Sequence, residues 1–522
     1  MRPPYSRTLF ELLDEQAAHR PAALAVISGD EQLTFTELAR RARQVAGVLN
    51  ARGIRRGNRV GLLINNRPEW LEVAFGAWLV GAVAVPFSTW STRAELEFLL
   101  ADSAVRVLVT LPAFAREDYA ANLRAVAPGT VDVLMVDGVA HGFADYVAAR
   151  DAAEPLGTLA PGEGAGASDD AMILYTSGST SKPKAIPLAH YLIVENSFNI
   201  GERQGLGPDD RVLLSPPLFW TYGGINAMPA TFSHGATLVL QGRFDAGEAL
   251  DLVERHGCTS IYTLPGMTDE IARHPAFKPE RTRTLTKGMT IGSPQDVVKA
   301  AEVIGIRDIC NVYGASETGG NCCVTHHDWP LERRANCQGL PLPGVHLRIV
   351  DGDTGAVLGP DQPGLVEVSG PYVMRGYTGG SAHHNAATYS VDGWFRSGDV
   401  GSLTPAGAFV FQGRATEMIK RAGINVSPAE VEDVLMQHPG VAQAGVVGLP
   451  SGSGEAIIAF VLPKGDARLS AEELTAHCRR IASAYKVPDR FEIVTRLPTT
   501  VTGKLMRRDL KTAASQLDVR GP

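Results

Sequence analysis

The chain has 522 residues, of which 44% are hydrophobic and 20% charged, and its 49 basic and 56 acidic side chains leave a net charge of −7. This length accommodates two or more domains, and the composition is that of an ordinary soluble globular enzyme. The negative balance disfavours nucleic acid or an anionic membrane surface as the main partner.

In chain order, "MRPPYSRTLFELLDEQ" at the start lacks the basic-then-apolar pattern of a secretion signal. "TFTELARRARQVAGVLNARG", from Thr34, reads as a helix with Thr36 as its N-cap. β-Branched runs recur at "RVGLLI", "AVAVPF", "VRVLVT", "VDVLMV", "RVLLSP", "ATLVLQ" and "CTSIYT", with helix-length segments between many of them. That alternation predicts an α/β fold of layered, largely parallel sheets. No short-period repeat interrupts it. The longest apolar stretch, Val73 to Phe87, is too short for a membrane span and contains Gly76 and Gly81. Residues 156–170, "LGTLAPGEGAGASDD", are a flexible connector.

Beyond about residue 340, "HLRIVDGDTGAVL" and "GLVEVSGPYVMRGY" read as hairpins or a small barrel-like sheet. Ser427-Pro428-Ala429-Glu430 is a capping box with proline at the first helical position, and Ser470 to Glu473 is another. The predicted division is a large domain over 1–413 and a small α+β domain over 414–522. The six cysteines show no CxxC spacing and are read as reduced thiols of a cytoplasmic protein. In "NCCVTHH", Asn321 to His327, adjacent Cys322 and Cys323 would point to opposite sides of an extended segment, so structural or wall roles are expected rather than a metal site.

The chemistry concentrates first in "MILYTSGSTSKPKAIPL", Met172 to Leu188, an apolar strand that turns into a polar loop after Thr176. Gly178 permits a tight turn close to a ligand. Ser177, Ser179, Thr180 and Ser181 offer hydroxyls, consecutive backbone N–H groups can form an anion nest, and Lys182 and Lys184 add positive charge. A polyphosphate suits this set. Pro183 follows Lys182, so the loop is not a Walker A motif. Taken alone, a solvated Ser/Gly surface loop fits equally well.

The loop does not stand alone. It resembles the signature loop of the adenylate-forming (AMP-binding) superfamily, in its acyl-CoA synthetase branch. Other motifs of that family follow in order: "PPLFWTYGG", "NVYGASETGG", "QGLPLPGVHLRIVD", "GWFRSGDVG", "GRATEMIKRAGINVSPAEVE", "YKVP" and "PTTVTGKLMRRDL". The resemblance implies ATP, Mg²⁺ and coenzyme A as cofactors and co-substrates, and a small domain that rotates between two half-reactions. It implies that Tyr313 lies against the adenine, with Asn311, Gly314, Ala315 and Ser316 beside it and Gly292, Ser293 and Pro294 lining the same side. Glu317 matches the acid that holds Mg²⁺, Asp399 the carboxylate on the ribose hydroxyls, and Arg414 the arginine beside ribose and phosphate. Lys504 matches the lysine that bridges the substrate carboxylate and the α-phosphate. With Glu317 and Thr180 it forms the implied catalytic set. Thr416 occupies the hinge position, and Lys420 and Gly423 match the segment that serves the thiol half-reaction.

These residue types suit the reaction. A carboxylate must attack the α-phosphorus of ATP, so Lys504 and Mg²⁺ neutralise developing charge while the loop holds the departing pyrophosphate. Departures from the family pattern are Ser181 and Ala185 in place of glycine, Thr416 where Asp or Lys is commoner, and Trp220 where many relatives have His. Trp220 reads equally as a gate on the acyl tunnel or as pocket packing.

Trp220, Thr221, Gly223, Gly224, Tyr262, Gly266, Gly292 and Gly319 are expected to face the acid. The group holds no Lys, Arg or His, which predicts a bulky, mostly apolar monocarboxylate. Three functions are consistent with these features: a full acyl-CoA ligase, an acyl-adenylate synthetase that hands its product to a carrier protein or partner transferase, and a non-catalytic nucleotide-binding relative. Retention of Lys504, Glu317 and Asp399 argues against the third. Lack of a carrier-like segment after Lys504 favours coenzyme A. A monomer or homodimer is expected.

Overall fold

The computed structural model describes residues 8–517 apart from 116, 128, 139–141, 158, 161, 177–182, 422–423, 452–453, 483 and 500–504. Two sheets organise the large part of the chain. Across the nine-stranded one run Leu340–Pro341, Gly320–Val324, Asp308–Ala315, Lys287–Thr290, Ser260–Tyr262, Arg211–Leu214, Thr237–Leu240, Leu24–Ser28 and Glu31–Thr34. The six strands between the first two and the last are mutually parallel. Across the seven-stranded one run Lys184–Ala189, Asp170–Thr176, Val83–Pro86, Arg59–Leu63, Val107–Thr110, Asp132–Met135 and Ala144–Asp145, with Lys184–Ala189 antiparallel to its neighbour. Strands such as Val83–Pro86, Val107–Thr110 and Thr237–Leu240 are buried at every position, as expected of parallel sheets covered on both faces.

The helix after Thr34 runs Phe35–Ala51, and its N-cap is Thr34 rather than Thr36. Glu37 lies three residues beyond Thr34 and returns its carboxylate to the Thr34 N–H (2.8 Å), closing a capping box. Ala39, three beyond Thr36, cannot do so. The apolar run from Val73 divides into the core helix Pro68–Leu79 and the strand Val83–Pro86. Gly76 lets that helix approach Phe35–Ala51 closely, since a Cβ there would lie 2.9 Å from the Ala42 carbonyl. Glu72, fully buried in the same helix, is satisfied by Arg41 (2.9 Å), Arg150 (2.8 Å) and the Tyr146 hydroxyl (2.8 Å).

The glycine-punctuated segments form a four-stranded antiparallel sheet of His346–Val350, Gly364–Ser369, Phe395–Leu403 and Phe409–Arg414. Beyond it lies a separate small unit. It comprises the hairpin Ile419–Arg421 and Ile424–Val426, the strands Val441–Ser451, Gly454–Pro463 and Arg490–Ile493, and the helices Pro428–Met436, Ala471–Ile481 and Arg507–Ser515. The main core of the large body extends from Leu9 to Phe409, whereas the cores of the small unit start at Ile419. Arg414 still pairs with Asp399 in the four-stranded sheet, so the joint begins after Arg414. Ser427 and Ser470 cap their helices, but each capping box closes on one side only. Glu430 pairs instead with Lys486 (2.8 Å), and Glu473 with His438 (3.2 Å). Among the described residues no helix is long and apolar enough to cross a membrane.

Candidate active site

The parallel strands of both sheets end at one crevice, the place where open α/β sheets bind ligands. From the nine-stranded sheet come Ser215–Trp220 after Arg211–Leu214, Gly242–Phe244 after Thr237–Leu240 and Gly266–Glu270 after Ser260–Tyr262. From the seven-stranded sheet come Asn65 and Asn66, Thr89 and Trp90, and Phe114. They enclose a cavity of about 280 Å³. Trp90, Phe219 and Trp220 form an edge-to-face cluster on its wall, with centroids 5.1–6.0 Å apart. Asn65, Asn66, Arg243 and Glu270 make the lining amphipathic.

Beside the cavity lies the polar edge built by the strand Asp308–Ala315. The buried Tyr313 ring packs on Phe409 (4.5 Å) and Phe411 (5.8 Å). Its hydroxyl donates to Asp399 (2.7 Å). Burial, and then the Asp399 charge, hold the Tyr313 phenol well above its ordinary pKa, so it stays a donor. Asp399 is itself buried, with the Arg414 guanidinium at 3.0 Å. The 3₁₀ turn Ser316–Thr318 presents Glu317, whose carboxylate accepts from the Tyr377 hydroxyl (2.8 Å). Lys184 lies over the Tyr377 ring (4.8 Å), so the strand returning from the polar loop meets Glu317 through that tyrosine. Thr221, which follows Trp220, hydrogen-bonds Ser316 (2.6 Å) and joins the cavity to this edge.

Asn196 and Asn226, which sequence reasoning missed, fix the Glu317 turn. Gly319 and Gly320 both have positive φ (68° and 86°), a backbone path that side-chain-bearing residues resist. Asn196 donates to the carbonyls of Gly319 (3.1 Å) and Asn321 (3.0 Å). Asn226 donates to Gly319 (3.1 Å) and accepts from the Asn321 N–H (3.1 Å). Both asparagines are buried within apolar helical patterns that give no local signal of a site.

Several expected contacts fall elsewhere. Of the residues expected to face the acid, only Trp220 and Gly266 line the cavity. Tyr262 is fully buried and accepts from Gln204 (2.6 Å). Gly223 and Gly224 lie in a π-helical segment where a Cβ would collide with the carbonyls of Pro217 and Leu218, so their smallness serves packing. Gly319 is packed against Leu192 and the Tyr372 carbonyl. Asn311 is fully buried and reaches Gly292 (3.4 Å) and Cys337 (3.3 Å), so it supports the Gly292–Pro294 loop from behind. In that loop Ser293 caps the helix Pro294–Glu302 reciprocally with Asp296. Gly314 is exposed on one face and backed by the Gly320 carbonyl on the other, and Ala315 leads into the Glu317 turn.

Arg414 closes its strand, Thr416 follows in a turn, and Lys420 lies exposed in the hairpin with its N–H on Glu455 (2.7 Å). Thr176 ends the strand Asp170–Thr176. Ser177, Gly178, Ser179, Thr180, Ser181, Lys182, Gly423 and Lys504 lie outside the described residues.

All six cysteines are free and buried. Burial pushes the Cys310 thiol up to about 12 and holds Cys323 well above its usual range, which opposes thiolate ligation. Among the described residues no group of three or more His, Cys, Asp or Glu side chains could hold a metal. A single carboxylate at Glu317 fits a Mg²⁺ whose other ligands are phosphate oxygens and water.

Comparison with known proteins accords with this arrangement. Residues 13–378 match the AMP-binding enzyme family, and residues 430–504 match the AMP-binding enzyme C-terminal domain. The chain is 34% identical to a feruloyl-CoA synthase of an Amycolatopsis species over 95% of this chain and 97% of that one. It is 31% identical to the 2-succinylbenzoate–CoA ligase of Bacillus velezensis over 95% and 96%. Its fold superposes on ATP-bound MatB of Rhodopseudomonas palustris with a TM-score of 0.85 at 26% identity, over 97% of this chain and 98% of the other. For the anthranilate CoA ligase AuaEII with anthranoyl-AMP the score is 0.88 at 26% identity, over 98% of both chains. The chain belongs to the AMP-binding, adenylate-forming enzyme family and is an AMP-forming acid–CoA ligase, which uses ATP, Mg²⁺ and coenzyme A to convert a carboxylic acid through its acyl-AMP into a thioester.

Proposed function

We propose that the enzyme activates a bulky, mostly apolar monocarboxylate, with aryl acids foremost, and that Trp220 separates the acid from the incoming thiol. The amphipathic cavity carries this reading. A pantetheine arm is an apolar chain interrupted by two amides, and it suits a channel that alternates Trp90, Phe219 and Phe244 with Asn65, Asn66 and Arg243. A wholly apolar acid would leave the Asn65 side-chain carbonyl oxygen and the Arg243 guanidinium unmatched. The acid is then held on the other side of Trp220, near Thr221 and Gly292. Relatives named for ferulate and 2-succinylbenzoate support an aryl group.

In the adenylation step, the loop 177–182 holds the β- and γ-phosphates through Ser179, Thr180 and Lys182. Tyr313 and the Gly292–Pro294 loop flank the adenine. Asp399 and Arg414 receive the ribose, and Glu317 holds Mg²⁺ against the phosphates. When bound, that ion neutralises phosphate charge. Lys504 bridges the carboxylate and the α-phosphate as pyrophosphate leaves. The small unit then reorients about the turn at Thr416, withdrawing Lys504 and bringing Lys420 and Gly423 to the cavity for attack by the thiol on the acyl carbonyl. The acceptor is coenzyme A rather than a carrier protein, and the enzyme is a cytoplasmic monomer or homodimer with reduced cysteines.

Ferulate, benzoate, indoleacetate and octanoate, each with ATP, should be compared for pyrophosphate release with and without coenzyme A, and the thioester identified by mass. Aryl acids are expected to lead. Acyl-AMP that accumulates without thioester would make the protein an adenylating half-enzyme. Trp220→Ala should raise KM for coenzyme A about tenfold, the scale of losing one well-packed aromatic wall, with KM for the acid little changed. The reverse pattern would assign the cavity to the acid.

A further inference from the structure

The joint between the two bodies is short and held on both sides. On the large-body side, Ala415 donates to the Gly398 carbonyl (2.9 Å), and Arg414 reaches Asp399 (3.0 Å) and the Ser397 carbonyl (3.2 Å). On the other side, the Glu417 carboxylate accepts from Arg507 (3.0 Å). Thr416 stands between these anchors, in a turn closed by the Glu417 and Met418 amides on the Arg414 carbonyl (2.9 and 3.1 Å). Ser427 also crosses the joint, donating to the Gln412 carbonyl.

Arg507 is mostly buried and firmly seated. Its guanidinium forks onto Glu432 in the helix Pro428–Met436 and donates to the Val446 carbonyl (2.9 Å). It opens the helix Arg507–Ser515, whose Leu510 and Ala514 are core residues of the small unit. Thr499 pairs with Leu505, and Met506 donates to Pro498 (2.9 Å), so the chain on either side of residues 500–504 is tied at its base directly before Arg507. A single arginine thereby connects the joint, the body of the small unit and the base of the segment that carries Lys504.

We propose that Arg507 is a positioning residue: by gripping Glu417 it confines domain rotation to the turn at Thr416 and makes the body of the small unit turn with the joint as one lever. This rests on the reading that the small unit reorients between the half-reactions. Without the grip, Glu417 joins the flexible linker, the pivot lengthens, and the small unit spends less time in either productive orientation. The expected signature is a loss in kcat with substrate KM values preserved, because no substrate contact is removed.

The test is a double-mutant cycle of wild type, Glu417→Ala, Thr416→Pro and the pair, using the best-converted acid of the four above. Glu417 is the variant site because Arg507 keeps Glu432 and Val446, so the small unit retains its packing. Glu417→Ala should lower kcat for both adenylate and thioester formation about fivefold, with KM for ATP and the melting temperature unchanged. Thr416→Pro should slow complete ligation about a hundredfold by stiffening the pivot. In the pair the losses should fall well short of multiplying, since a longer pivot lets the chain turn around the proline. Multiplicative losses, a wild-type kcat in Glu417→Ala, or a change in KM alone would overturn the anchor. If Glu417→Ala unfolds, Glu417→Thr, whose hydroxyl is too short to reach Arg507, takes its place under the same criteria. Normal thioester formation by Thr416→Pro would instead refute domain reorientation at this turn, whatever Glu417→Ala does.

Discussion

On the side of the crevice proposed for the nucleotide, Tyr313, Glu317, Asp399 and Arg414 come from two chain segments joined by the 2.7 Å Tyr313–Asp399 bond. On the organic side, the cavity takes one to four residues from each of many loops, and its aromatic wall unites Trp90 with Phe219 and Trp220. The first side depends on charge and directed hydrogen bonds at set positions. The second depends on shape, which many side-chain combinations can supply. Losses on the first side should therefore be large and specific to ATP, whereas losses on the second should be moderate or should act through the fold.

Lys504→Ala gives the sharpest separation. It should reduce acyl-AMP formation by about a hundred- to a thousandfold, the range for removing a charge-stabilising group. Supplied acyl-AMP and coenzyme A should still yield thioester, as measured by mass. Equal loss of both half-reactions would erase the distinction between the sides.

The scaffold shared by both sides is the next test. His190 opens the helix His190–Gln204 and accepts from the Leu9 N–H (3.2 Å). Burial depresses its pKa to about 3, with a small opposing effect from Asp169. The folded state keeps His190 neutral while the unfolded chain protonates near 6.5, so stability is complete above 6.5 and falls as pH drops towards 3. The full loss is on the order of 5 kcal/mol. Chemical denaturation from pH 7 to 4 should show this fall, and a His190→Gln variant that folds should show a shallower one. Parallel curves would remove His190 as the cause.

Asp399→Ala should raise KM for ATP and the Kd for AMP by about 1.5–3 kcal/mol for each charge-assisted bond lost. KM for the acid should hardly move. A comparable rise for the acid would show that the sides share this residue.

Asn226→Ala probes the hidden support of the Glu317 turn. It leaves the Gly319 carbonyl one donor short and should cost about 1–2 kcal/mol of stability. The Mg²⁺ requirement for pyrophosphate release should increase with it. Gly223→Ala makes the opposite case on the organic side: its melting temperature should fall through collision with Pro217, while a folded fraction keeps its acid preference. A changed acid preference would return Gly223 to the pocket wall.

Legibility followed the same division. The strands, the α/β layering and the polar residues of "NVYGASETGG" and "GWFRSGDVG" could be read because period and charge are local properties. The glycines are ambiguous. In Gly223, Gly224 and Gly319 a missing side chain signals close approach, and only the neighbours reveal whether a ligand or a carbonyl approaches. Thr36 precedes the helical pattern as a candidate cap, but Thr34 has the better-placed glutamate, a difference of two residues that the reciprocal Glu37 bond decides.

The sequence by itself determined the family, the reaction, the alternation of strand and helix and the polar residues proposed for ATP, because these reside in ordered motifs and short-range periodicity. Only the tertiary structure decided the rest: that Asn196 and Asn226 hold the Glu317 turn, that Trp90 completes the cavity wall beside Trp220, and that Arg507 reaches back to Glu417. Each of those contacts joins residues 90 or more positions apart in the chain, and at such separation spacing carries no information. Packing of the sheets and of the small unit brings the partners together.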